Sequence, residues 1–182
     1  MIQRLLKENG ATGFDEATVR VSASGAEASP SEVVQSPETY VGYARAANFA
    51  SPERLARDAR KSYRVPTNLA LNQWAFGGSW YADAEKCILQ SAPGRILFRL
   101  HSRDFHMVLG PAQNAAPVRF KMRLNGVEPG DDHGSDCGVD GTGEVRQPRM
   151  FQLVRQKGLI KDVTVEMEFL DPGIEAFSFT SG

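Results

Sequence analysis

Leu97 aside, three seven-residue stretches alternate between apolar and polar residues, and this alternation constrains the fold more than any other feature. In 95–101 (RILFRLH), Ile96, Phe98 and Leu100 stand against Arg95, Arg99 and His101. In 118–124 (VRFKMRL), Val118, Phe120, Met122 and Leu124 stand against Arg119, Lys121 and Arg123. In 163–169 (VTVEMEF), Val163, Val165, Met167 and Phe169 stand against Thr164, Glu166 and Glu168. A period of two means strands with one buried and one wet face, the habit of antiparallel sheets. Asn125-Gly126, directly after the second stretch, is the strongest hairpin-turn signal in the chain. Several such stretches without long helices between them predict an all-β antiparallel sandwich of jelly-roll, galactose-binding-like type.

The chain has 182 residues, a net charge of -1 and no global excess of positive charge, which argues against nucleic acid as a partner. No stretch approaches the ~18 apolar residues of a membrane span, so no membrane contact is expected of this segment. Cys87 and Cys137 are far apart and form no CxxC, which removes a dithiol centre or zinc knuckle. Residues 1–10 read as a short amphipathic helix closed by Gly10, and 11–36, rich in Ala, Ser, Gly, Glu and Pro, as a linker. Ser51-Pro52 offers an N-cap for a short helical turn through Arg57. That turn makes Arg54, Arg57, Arg60 and Lys61 a solvated face.

The motifs SPETYVGYARAANFAS, LNQWAFGGSW, GRILFRLHSRDFHMVLGP, VRFKMRLNGVEPGDDHG, FQLVRQKG and FLDPGIEAFSFTSG together resemble one known domain. It is the C-terminal, carbohydrate-binding-module-like jelly roll of DipZ-type proteins, where it is fused to a thioredoxin-like domain. The resemblance covers 37–182, and Met1–Asn9 is similar to the last helix of the thioredoxin-like domain in such fusions. It implies an extracytoplasmic protein of thiol-disulfide chemistry or cytochrome c maturation. The implied partners are the upstream thioredoxin-like domain and a glycan. Without a CxxC in this chain, redox catalysis does not transfer to it, and a non-enzymatic module is expected. The alternative is a structural module that packs on the thioredoxin-like domain or dimerises, with no sugar ligand.

A sugar site needs rings that stack on CH faces and planar polar groups that hold hydroxyls. Trp74 and Trp80 are the candidate rings, provided they are exposed rather than core. His101 and His106 would face each other if HSRDFH closes a hairpin, which also sets Leu100 opposite Met107 and Phe98 opposite Leu109. With Arg99, Arg119 and Gln152 they complete the candidate ligand face. The basic stripe of 118–124 and the acidic stripe of 163–169 would neutralise each other if those strands are neighbours. Asp131, Asp132, Asp136 and Asp140 lie among glycines, where either turn chemistry or a structural calcium would account for them. No other cofactor is expected. Cys87 reads as a small core residue, Cys137 as an exposed, unpaired thiol.

Overall fold

The computed structural model describes residues 35–113 and 116–182. The helix expected over 1–10, and all but the last two residues of the expected linker, lie outside them. Gln35 and Ser36 already belong to the folded domain. The Gln35 amide donates to the His101 carbonyl (3.1 Å), and the Ser36 hydroxyl accepts from the His101 amide (2.9 Å).

Among the described residues, ten strands form one antiparallel sheet that curls over on itself as a sandwich. They are β1 (Thr39–Tyr40), β2 (Ala59–Tyr63), β3 (Trp74–Ala82), β4 (Cys87–Leu100), β5 (Asp104–Pro111), β6 (Val118–Leu124), β7 (Thr142–Val145), β8 (Arg149–Arg155), β9 (Val163–Phe169) and β10 (Ile174–Ser181). The main path runs β7-β6-β9-β4-β10-β5-β8, with β3 on β4, β2 on β3, and β1 on β10. Two of the alternating stretches are β6 and β9 to the residue, and the third ends β4.

The pairing explains the alternation. Phe76, Ile96, Met167 and Met122 stand in one inward row across β3, β4, β9 and β6, and Trp74, Phe98, Val165 and Leu124 stand in the next. Rings from the two halves of the curled sheet meet in the core, Phe98 with Phe179 at 5.2 Å and with Phe105 at 5.6 Å. The opposite faces of β6 and β9 carry the two charged stripes, and they are neighbours: Lys121 is opposite Glu168 and Arg123 opposite Glu166. Arg123 Nη1 reaches Glu168 at 3.0 Å and Glu166 at 3.9 Å.

Two local expectations are corrected. Residues 101–103 do not close a hairpin, because β10 lies between β4 and β5 and those two strands share no pairing. The hydrogen bonds of a hairpin go elsewhere: Asp104 exchanges amide and carbonyl with Gly182, and His101 is held by Gln35 and Ser36. The link is an arch from one half of the sandwich to the other, so Leu100 is not opposite Met107, nor Phe98 opposite Leu109. Ser51 caps no helix. Its buried hydroxyl donates to the Phe76 carbonyl (3.1 Å) and accepts from the Phe76 amide (3.0 Å), stitching 49–58 onto β3.

Candidate functional site

The structure disperses the candidate ligand face. Trp74 and Trp80 are both 0% exposed. Trp80 stacks on Phe76 (4.4 Å between centroids) and donates Nε1–H to the Gly77 carbonyl, while Trp74 donates to the Ala47 carbonyl. Both face inward on β3, as do Phe98 opposite Trp74 and Leu89 opposite Trp80, and sealed rings cannot stack on a sugar.

His101 and His106 do not face each other. His101 Nδ1 lies 2.8 Å from Asp162 Oδ1, and Arg99 Nη2 donates to Asp162 Oδ2 at 3.2 Å. The hydrogen bonds from His101 and Arg99 hold the Asp162 carboxyl below the usual carboxylate range. His106 stands between Gln152 on β8 and Thr180 on β10, so the pairing does bring His106 and Gln152 together. Burial pushes the His106 ring below the ordinary histidine pKa. Arg99 is opposite Thr164 at one end of β9, and Arg119 reaches past the other end to Asp171.

The four aspartates do not converge. Asp136 Oδ1 accepts from Arg149 (2.7 Å) and its Oδ2 from the Gln152 amide (2.7 Å). Asp140 caps its own turn by accepting from the Thr142 amide and hydroxyl, and Asp132 accepts from the Lys157 amide. Asp131 is exposed. No group of three or more metal-ligating side chains comes together among the described residues. Cys137, expected at the surface, is 8% exposed and donates Sγ–H to the Leu153 carbonyl (3.2 Å). Cys87 opens β4 as a core residue, as expected, its Sγ–H on the Val41 carbonyl. Burial raises both thiols, that of Cys137 to about 11.

One predicted residue does border a cavity. Arg119 lines a groove of about 720 Å³ where the chain turns from β9 into β10 and β4 passes from one half of the sandwich to the other. Its guanidinium grips Asp171 through two bonds of 2.8 Å, Nε to Oδ2 and Nη2 to Oδ1, and its amide adds a third at 3.0 Å. Those bonds hold the Asp171 carboxyl down at about 2. Gln90 and Glu144 are the other polar groups, and Ile88, Leu89, Pro117 and Pro172 make apolar walls. A concave site with apolar walls and a few polar groups falls within the roughly 300–1,000 Å³ of small-molecule sites. The groove has no aromatic ring among its described lining residues. Gln90, Glu144 and Asp171 were not among the candidate ligand-face residues. The Asp-Pro-Gly turn at 171–173 was the available signal, but nothing local shows an aspartate reaching a residue 52 positions upstream.

A family model described as thioredoxin-like C-terminal domain matches residues 36–182. No curated protein matches the chain.

Proposed function

The chain belongs to the thioredoxin-like C-terminal domain family, and from that membership we propose that it serves as a non-catalytic accessory domain of a thioredoxin-type protein, binding a small neutral glycan in the Arg119–Asp171 groove. The observation that carries the reading is the groove itself, with a guanidinium–carboxylate pair and Gln90 set between apolar walls. A fixed Arg–Asp pair presents donor and acceptor edges at zero net charge, which suits hydroxyls better than an anion. In this reading the domain holds an upstream thioredoxin-like domain near glycan in the cell envelope, as expected of a DipZ-type protein. Both thiols are buried and raised, which supports a role without redox turnover.

Titrating the 182-residue chain with neutral mono- and disaccharides, followed by amide NMR, tests this. Shifts at Gln90, Arg119, Asp171 and Gly173, with affinity in the roughly millimolar to micromolar range of small polar sites, are expected. Gln90→Ala and Arg119→Ala should weaken binding while the unfolding transition is retained. Shifts confined to other faces, or none with any sugar, overturn it. Repeating the titration with calcium tests a structural ion in the same experiment.

The second reading, a structural module without a sugar ligand, is favoured by the burial of Trp74 and Trp80. It predicts no sugar response in that titration, and a loss of stability in the thioredoxin-type protein when the domain is removed.

A further inference from the structure

On the β6–β9 face and its surroundings, cations meet carboxylates: Arg95 with Glu166, Arg99 with Asp162, Arg119 with Asp171, Lys121 with Glu128, Arg123 with Glu168. The segment leading into β2, with β2 itself, differs. Arg45, Arg54, Arg57, Arg60 and Lys61 have no carboxylate partner among the described residues.

Three of the acids beside them bond other groups. Glu53 takes the Arg64 amide and Nε at 2.9 and 2.7 Å. Asp58 Oδ2 accepts the Tyr43 hydroxyl at 2.7 Å. Asp83 Oδ1 accepts the amides of Glu85 and Lys86. Glu85 is the remaining neighbouring acid. Two of the unneutralised cations, Arg54 and Arg57, line a cleft of about 330 Å³ with Tyr43, Leu55, Ala46 and Phe49.

The backbone that carries these arginines is pinned. Lys61 Nζ donates to the Arg54 carbonyl at 3.0 Å, the Ala56 amide donates to the Tyr63 hydroxyl at 3.0 Å, and the Asp58 amide donates to the Ala82 carbonyl at 2.9 Å. Arg57 is further placed over the Tyr43 ring, 5.5 Å from its centroid. Two guanidinium forks on a loop with a pinned backbone, in a cleft with an aromatic wall, form a site for a multi-oxygen anion.

We propose that the Arg54–Arg57 cleft binds a phosphate group, independently of the groove at Arg119. Arg54 and Arg57 hold the phosphate oxygens, and Arg60 and Lys61 on β2 supply the surrounding positive field.

The test uses the 182-residue chain, inorganic phosphate and vesicles, followed by amide NMR and sedimentation. Phosphate should shift the amides of 54–58 and Tyr43, with binding that weakens as sodium chloride is raised. Arg54→Gln with Arg57→Gln should weaken it at least tenfold while the unfolding midpoint stays within a degree or two, since both side chains are exposed. Arg119→Ala should leave phosphate binding unchanged. Vesicles of phosphatidylcholine with a third phosphatidylglycerol identify the source: co-sedimentation lost in the double variant points to a lipid headgroup, and phosphate binding alone to a soluble phosphate. No response to either probe up to tens of millimolar phosphate, or a response unaltered in the double variant, overturns the proposal.

Discussion

Replacing Trp80 with alanine removes a ring that stacks on Phe76, meets Phe169 edge-on at 6.1 Å and closes a hydrogen bond to the Gly77 carbonyl. The site is fully buried and cannot collapse around so large a void, so the expected loss is about 3–5 kcal/mol, read from chemical denaturation. A loss under about 1 kcal/mol would mean that the ring sits at the surface after all. The thiols behave as core groups too. Burial raises both, so neither forms thiolate near neutral pH. Ellman's reagent should label neither cysteine in the native protein over minutes and both in denaturant, and the native chain should not reduce insulin disulfides. Rapid native labelling of Cys137 would place it back in a solvent-facing loop.

The β6–β9 pair shows what strand pairing adds to a stripe of charges. Arg123 lies between Glu166 and Glu168, and Lys121 reaches Glu128 at 3.0 Å and Asp140 at 3.9 Å. Arg123→Glu puts like charges directly opposite, which destabilises a sheet. Arg123, Glu166 and Glu168 keep a fifth to a third of their exposure, so the cost should be no more than about 1 kcal/mol and should shrink in high salt. A cost that salt does not touch would assign it to packing instead. The Asn125-Gly126 turn was legible from the dipeptide, and both residues take positive φ (51° and 83°). The hairpin it announces stops after one rung, Leu124 with Val127, because the Asn125 amide and side chain turn to Thr164 on β9. A dipeptide fixes backbone angles, but the partner of the next strand is chosen by whichever face needs covering.

For the molecule as a whole, the shifted groups define a stability plateau. His106, Glu53, Asp136, Asp140, Asp162 and Asp171 all have lowered pKa values in the folded state. The unfolded chain therefore binds more protons in acid, and the stability these groups contribute is present above their unfolded values and lost as pH falls. It should decline below about 6.5 through His106 and again below about 4 through the carboxylates, down to about 2 for Glu53 and Asp171. Cys87, Cys137, Tyr43 and Tyr63 are raised, so their contribution is lost as pH climbs above about 9. Denaturant midpoints from pH 2 to 11 should form a plateau near 7–9, and a maximum at pH 5 would contradict this assignment. The sequence alone determined the strand class and the inward and outward faces of 118–124 and 163–169, because a period of two is written in neighbouring residues; that the two charged faces neutralise each other waited on the pairing of β6 with β9. Only the tertiary structure decided that β10 separates β4 from β5, that both tryptophans face the core, and that Arg119 meets Asp171 at a groove. Those outcomes depend on which distant strands pair, a choice made by the shared burial of the whole sheet and recorded in no local window.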